Sequence, residues 1–356
     1  MKIVIPVVGF SRSGGERVLA RIATELIKFG HEVYLVAPDD GIEPYYPTSA
    51  LVCRSIKEKR YNKYMNYFCT MRNLFKKCKS LEPDIVVANF HLTAYIAFLL
   101  PSAILKVYYI QAYEVIFSEN KLRKLIAYLT YLLPLRKVVN SESLLPEKLN
   151  NYIAVVPAGV DTENFFPRKF LYSKKHIGFI GRKEKHKGTS QLIDIIIDWA
   201  AGKDITLNIG VYLAESDAYK LQKANINFIQ IPINNDIELA NFYRLNDLVL
   251  AVGLVEDGAF HYPCAEAMAC GCLVISNYAP LANSNSLLKI DSFSRDSILE
   301  KLNLFFSLTN SQIDNELEIG NIIKSLYSWD KVGDKFNRTL LELKSYETHN
   351  DERHPN

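Results

Sequence analysis

Three loops carry the side chains whose types and spacing could do chemistry. The first is Gly9-Phe10-Ser11-Arg12-Ser13-Gly14-Gly15-Glu16, between an apolar run and a helical pattern. Paired glycines there let backbone amides approach a charged or sugar ligand, and a helix N-terminus favours negative charge. The spacing is not G-x-G-x-x-G, which argues against a dinucleotide. A tight strand-to-helix turn accounts for the same residues without a ligand. The second loop, Gly181-Arg182-Lys183-Glu184-Lys185-His186-Lys187-Gly188, sets five basic or potentially basic side chains around one carboxylate. Such a loop is costly unless an anion neutralises it, and a pyrophosphate is a natural counterion. Arg182 and Lys187, beside the glycines, are the candidates for phosphate contacts, whereas Lys183 and Lys185 read as solvated charge.

The third stretch runs from Glu256 to Gly271. Pro263 suits the first turn of a helix and Gly271 its C′ position, so Phe260, His261 and Tyr262 present backbone amides at the helix start. Glu266 stands one turn in, where a carboxylate can accept two hydrogen bonds from a vicinal diol such as a ribose. An ordinary helix-favouring Glu on a solvent face is the competing reading.

Composition bounds what these loops can belong to. The 356 residues are 49% hydrophobic and 23% charged, too apolar for a disordered chain and long enough for two ordinary domains. The net charge of +3 is small for a nucleic-acid binder. It is unevenly spread: residues 1–166 hold 21 Lys and Arg against 15 Asp and Glu, and the remainder 21 against 24. Cys53, Cys69, Cys78, Cys264, Cys270 and Cys272 form neither a CxxC pair nor a His-x-Cys spacing, so a metal site is not expected and reduced thiols of a cytosolic protein are. No stretch reaches the roughly 20 apolar residues that cross a bilayer. The apolar start, Met1 to Val8, is too short for a signal peptide and reads as a first buried strand.

The elements that must position these loops alternate. Strands are expected at Lys2–Val8, Glu32–Ala37, Asp84–Ala88, Val107–Ile110, Lys137–Asn140 and Ala154–Val156, with a helix over Glu16–Phe29. After a turn-rich hinge near 160–172, strands recur at His176–Ile180, Thr206–Val211, Phe228–Gln230, Leu248–Val252 and Leu273–Ser276. Helices are expected over Ser190–Ala200, Ile237–Leu245 and Pro263–Cys270. Short Val/Ile-rich runs between helical patterns indicate parallel sheets covered on both faces. Two doubly wound α/β domains would face each other across a cleft, with ligand at the carboxyl ends of the strands. A last helix over Lys331–Lys344 would pack back, and Glu347 to Asn356 reads as a polar, frayed tail.

Gly14-Gly15 after the first strand, Val156-Pro157-Ala158-Gly159-Val160-Asp161-Thr162 at the hinge, Gly181-Arg182 through Lys187-Gly188, and Pro263 to Gly271 occur in order along the chain. Together they resemble the retaining nucleotide-sugar glycosyltransferases of family 4, with the GT-B fold. Ser328-Trp329 resembles that family's entry to its final helix. The resemblance implies an acceptor-side Rossmann-like domain over 1–165, a nucleotide-sugar domain over 172–330 and a C-terminal helix over 331–346. It further implies that Arg182 and Lys187 bind the donor diphosphate, Glu266 the nucleotide ribose, and Gly14 and Gly15 border the phosphates and sugar, with Phe260, His261 and Tyr262 beside the donor. Such enzymes are typically metal-independent, which agrees with the lack of a DxD motif, and no cofactor is implied beyond the nucleoside diphosphate sugar itself. Cationic side chains would then stabilise the leaving group.

Two departures stand out. The family commonly has Glu-x7-Glu, but Gly258 occupies the first position, leaving Asp257 or Glu256 as the displaced carboxylate. Where many relatives place a cleft His, the run Tyr108-Tyr109-Ile110-Gln111-Ala112-Tyr113-Glu114 has Gln111, which cannot act as a general base. That run resembles the Gln-x-Tyr/Phe-Glu form of bacterial surface-polysaccharide transferases, including rhamnosyltransferases. His91 and His261 fall near the cleft by sequence, where a lone His is more often packed or solvated.

The basic excess concentrates in residues 56–80, with eight Lys and Arg against Glu58, interleaved with aromatic and aliphatic residues. An anionic membrane surface or a lipid-diphosphate-linked acceptor would select such a segment. A helix with one core face and one solvated basic face would also carry it. The resulting expectation is a retaining hexosyltransferase at the cytoplasmic face of the membrane, serving surface-polysaccharide or glycoconjugate synthesis, with a glycan or lipid-linked acceptor and no nucleic acid. Alternatives on the same fold are a sugar-nucleotide epimerase and a degenerate transferase kept as a binding subunit.

Overall fold

The computed structural model describes residues 1–169 and 172–353. The chain divides into two units: Met1–Gly159 together with Trp329–Asn356, and Val160–Ser328. In the first unit, Val/Ile-rich runs such as KIVIP, IVVA and LKVYYI, broken only by Lys2 and Lys106, make strands buried on both faces, as parallel sheets require. Its elements are β1 (Lys2–Pro6), α1 (Gly14–Lys28), β2 (Glu32–Pro38), β3 (Leu51–Ser55), α2 (Lys63–Ser80), β4 (Ile85–Ala88), α3 (His91–Leu99), β5 (Leu105–Ile110), α4 (Lys121–Thr130), β6 (Arg136–Val139) and β7 (Ala154–Val155). The strands form one sheet in the order β3-β2-β1-β4-β5-β6-β7, every pair parallel. The winding reverses between β1 and β4, so the loops that follow β1, β4 and β5 gather at the switch point, where such sheets bind ligands.

The second unit repeats the plan. It contains β8 (His176–Ile180), α5 (Thr189–Ala200), β9 (Thr206–Gly210), α6 (Glu215–Lys223), β10 (Phe228–Ile231), α7 (Asp236–Leu245), β11 (Leu248–Leu250), α8 (Tyr262–Ala269), β12 (Leu273–Ile275), α9 (Arg295–Ser307), α10 (Asn310–Gly320) and α11 (Ile322–Leu326). The parallel sheet runs β10-β9-β8-β11-β12 and reverses between β8 and β11. One core joins its strands to α5 and α9 through Ile193, Ile196, Leu302 and Phe305, and the other joins them to α7 and α8 through Phe242, Tyr243, Ala265 and Met268.

The last helix, α12 (Trp329–Arg353), belongs to the first unit. Val332, Phe336 and Leu340 are fully buried, and Phe336 meets the Tyr109 ring edge-on at 5.3 Å. Gly333 permits the approach to α1, because a Cβ there would stand 2.4 Å from the Glu25 Cβ. Gly159 lies on the Trp329 indole, where a Cβ would fall 2.5 Å from the ring.

The strands expected from sequence are all present, with ends displaced by one or two residues. The frayed tail is corrected: α12 continues through Arg353, since no Gly or Pro interrupts a run of helix-compatible residues before Pro355. Residues 354–356 of that tail, and 170–171 of the hinge, lie outside the described residues. All six cysteines are free thiols. Among the described residues, no helix is long and apolar enough to cross a membrane.

Candidate functional site

The loops after β8, β11 and β12 leave neighbouring strands of the second unit at their carboxyl ends. Gly181 ends β8 under the carbonyl oxygen of Tyr212, which a Cβ would approach to 1.8 Å, so only glycine lets the basic loop close here. The Arg182 N–H donates to Thr189 Oγ1 at 2.9 Å, tying the loop to the first turn of α5. Lys183 places its amine 5.3 Å from the Tyr212 ring centroid. Arg182 is exposed and Lys187 half-buried, and neither forms an ion pair with a carboxylate among the described residues.

α8 begins after His261 with Pro263 in its first turn and ends before Gly271, whose φ of +73° is the left-handed C′ conformation. Glu266 is not on a solvent face: it is 2% exposed and accepts the Tyr243 hydroxyl at 3.2 Å. Burial, and then the Glu266 charge, hold the Tyr243 hydroxyl well above its usual range, while the Arg182 charge acts in the opposite sense. Arg182 is therefore within electrostatic reach of the Tyr243–Glu266 pair. His261 rests on the Tyr278 ring at 4.3 Å and has a buried Nδ1 without a hydrogen-bond partner. Burial, followed by the charges of Lys187 and Arg182, brings its imidazole down to about 3, so it is neutral at physiological pH. Phe260 packs against the Tyr262 ring at 5.2 Å and the Tyr327 ring at 6.0 Å.

The displaced carboxylates sit in a loop held by a residue that no local sequence pattern marks. Asn277, 1% exposed, accepts the Gly253 N–H at 3.2 Å and donates to the Gly253 carbonyl at 2.8 Å. Its amide also donates to Asp257 Oδ1 at 2.5 Å, and its carbonyl accepts the Gly258 N–H at 2.8 Å. Glu256, at φ +63°, is half-buried. Burial, and then Glu256 and Asp257 in turn, push the Tyr278 hydroxyl up, so both carboxylates lie near that ring.

In the first unit, Gly14 and Gly15 open α1 behind the Ser13 cap, which accepts the Glu16 N–H at 3.3 Å. Glu16 folds back to accept the Ser11 hydroxyl at 2.7 Å, and partial burial raises its pKa. Gln111 follows β5 and donates to the Gly15 carbonyl at 3.3 Å, fixing the first loop against the β5 loop. Asn140 donates to the Gln111 carbonyl at 2.9 Å. The structure thus groups Gly14, Gly15 and Gln111 in one unit, and Arg182, Lys187, Glu256, Asp257, Phe260, His261, Tyr262 and Glu266 in the other.

Residues 12–164 match the family described as Glycosyltransferase Family 4. Over nearly the whole chain, the structure is similar to sucrose-phosphate synthase from Thermosynechococcus elongatus, with a TM-score of 0.74 at 14% identity, covering 97% of this chain and 99% of that one. This is a GT-B glycosyltransferase fold. Anabaena HepE in complex with UDP and glucose is similar to this GT-B chain with a TM-score of 0.72 at 14% identity, covering 96% of this chain and all of that one. The lipopolysaccharide outer core galactosyltransferase WaaB, in its apo form, gives the same TM-score and identity over 96% and 99%. No curated protein sequence matches the chain. The resemblance to family 4 read from the sequence is borne out, and with it the GT-B fold class of two parallel α/β units. Among the described residues of this GT-B chain, no group of three or more His, Cys, Asp or Glu is placed to hold a metal ion.

Proposed function

We propose that the chain transfers a sugar from a nucleoside diphosphate to a glycan or glycolipid, with retention at the anomeric carbon. The observation that carries this reading is one cluster in the second unit. Among the described residues Arg182 and Lys187 form no ion pair with a carboxylate, Arg182 lies within electrostatic reach of the buried Tyr243–Glu266 pair, and His261 keeps an unsatisfied Nδ1. Two cations close enough to depress His261 need an anion, and a diphosphate supplies it. Glu266 would hold the ribose diol, and the His261 ring a donor sugar hydroxyl. Stabilisation of the departing diphosphate by Arg182 and Lys187 takes the place usually filled by a divalent ion, so we propose a metal-independent reaction. HepE, of the same fold, is recorded with UDP and glucose, which supports a nucleotide-sugar donor. The assay is product analysis by NMR over UDP-, GDP- and dTDP-sugars with a lipid-linked acceptor in EDTA. A glycoside of the donor's own anomeric configuration is expected. An isomerised nucleotide sugar formed without acceptor would identify an epimerase instead, and an inert chain that still binds nucleotide, a scaffold.

We also propose that the first unit rests on an anionic membrane. α2 exposes Tyr64 and Phe68 at 86% and 64%, α4 exposes Leu122 and Leu125 at 65% and 51%, and basic residues lie between them on both helices. The Arg123 charge on α4 acts on the Tyr67 hydroxyl of α2, so these two side chains lie within electrostatic reach of each other. Apolar side chains among cations are complementary to anionic headgroups over acyl chains. Sedimentation with phosphatidylglycerol vesicles should carry the protein down and release it in high salt. Tyr64→Ser with Phe68→Ser should abolish this, and equal recovery with phosphatidylcholine vesicles would contradict it.

A further inference from the structure

At the switch point of the first unit, β4 and β5 deliver two side chains that the reading above does not use. Glu114, 5% exposed in the turn after β5, points its carboxylate at the start of α3. Its Oε2 accepts the backbone N–H of His91 at 2.9 Å and lies 2.6 Å from His91 Nδ1. Its Oε1 accepts the Tyr108 hydroxyl at 3.1 Å, and its own N–H donates to the Tyr131 hydroxyl at 2.9 Å. The carboxylate is thus fixed by the buried Tyr108 hydroxyl and a backbone amide, and the Glu114 backbone by Tyr131, rather than by solvent. The His91 ring is fixed as well: it packs on Phe90 at 4.0 Å, and Thr93 Oγ1 accepts the N–H groups of Asn89 and Phe90 at 3.0 Å each.

An ionised carboxylate can only accept, so Nδ1 must carry a proton, which leaves Nε2 as the ring nitrogen available to a ligand. The His91 side chain remains 21% exposed while that of Glu114 is 4% exposed. We infer that Glu114 is a positioning residue that fixes the orientation of the His91 ring through Nδ1, and that His91 Nε2 forms a hydrogen bond with a carbohydrate hydroxyl of the substrate. A buried acid that fixes the tautomer of a half-exposed imidazole, at the carboxyl end of the sheet, has little use in packing alone. This inference rests on the proposed glycosyl transfer and names a contact that the transfer would use.

The experiment compares wild type, His91→Ala, His91→Gln and Glu114→Gln, using whichever UDP-, GDP- or dTDP-sugar the wild type turns over. Transfer is measured with acceptor and donor hydrolysis without it, alongside circular-dichroism melts and calorimetric binding of the nucleoside diphosphate. His91→Ala should lower kcat/KM for transfer by about 10- to 100-fold, with the melt and nucleotide affinity unchanged. His91→Gln, whose amide can also hydrogen-bond a hydroxyl, should recover part of the loss. Glu114→Gln should cost about 10-fold and release the tautomer seen in long-range 15N spectra. If hydrolysis falls with transfer the hydroxyl belongs to the donor, and if only transfer falls it belongs to the acceptor. An active wild type with His91→Ala within twofold of it overturns the inference while leaving the proposed function standing. A wild type that neither binds nor turns over any donor overturns the proposed function and this contact with it.

Discussion

Replacing Arg182 by Ala is expected to slow the proposed sugar transfer by about 10²- to 10³-fold, because on that reading it removes a preorganised cation from the leaving diphosphate. Its N–H is held to Thr189, so the loop should keep its path when the side chain is truncated, and the exposed guanidinium bears little of the fold. Arg182→Lys should restore only part of the rate, since an ammonium cannot match a diphosphate with two parallel donors. Lys187→Ala should fall in the same range. The double variant should cost less than the product of the singles, because both cations act on one anion. Steady-state kinetics over the active donor, with melts to exclude unfolding, measure all four. Rates within twofold of wild type for both single variants would remove this loop from the reaction.

Asp247→Ala is expected to destabilise the second unit by about 3–5 kcal/mol, the range for breaking a buried ion pair. The Asp247 carboxylate, 1% exposed, accepts from Arg168 at 2.8 Å, Ser173 Oγ at 2.7 Å and the N–H groups of Lys175 and His176 at 3.0 and 3.1 Å. It fastens the segment entering β8 to the start of β11. Burial alone would raise its pKa, but the bonds from Ser173, the His176 N–H and Arg168 outweigh burial and hold it below the usual carboxylate range. The sign follows from that depression. The stabilisation is complete above the unfolded value of about 3.9 and is lost as pH falls through the lower folded value. Thermal melts should therefore separate wild type from variant by roughly 6–20 °C at pH 7, for a unit of this size. The gap should close only below about pH 4. A gap already closed at pH 5, or none at pH 7, would contradict this.

The fold was legible wherever the chain is buried on both faces. β1, β4, β5 and β8 are short, mainly Val-, Ile- and aromatic-rich runs, which suit strands buried on both faces. β3 was not legible, because an edge strand with Leu51 exposed and Arg54 pairing with Glu43 reads as polar loop. α6 escaped for a related reason: of its residues only Asp217 and Leu221 are buried, so it lacks an apolar stripe. In the candidate site, Pro263 and Gly271 carried the limits of α8 in their backbone chemistry, and the glycines flanking Arg182 and Lys187 marked the basic loop. The burial of Glu266 was not visible, since it depends on Tyr243, 23 residues away on α7. Asn277 carried no signal, and Glu114 stood out only as the end of the run from Gln111, because both work through long-range hydrogen bonds that leave no periodic trace. The aromatic run before Glu114 was the one hint, for a carboxylate amid Tyr108, Tyr109 and Tyr113 must find donors if the turn is buried.

On the proposed reading, the second unit holds a nucleoside diphosphate between its cationic loop and Glu266. Calorimetric titration of UDP, GDP and dTDP into wild type and Glu266→Ala, in EDTA, tests it directly. At least one of the three should bind wild type at one site per chain, and Glu266→Ala should weaken that binding by about 10-fold or more while the fold persists by circular dichroism. No heat from any of the three with wild type, or equal affinity in the variant, would contradict it.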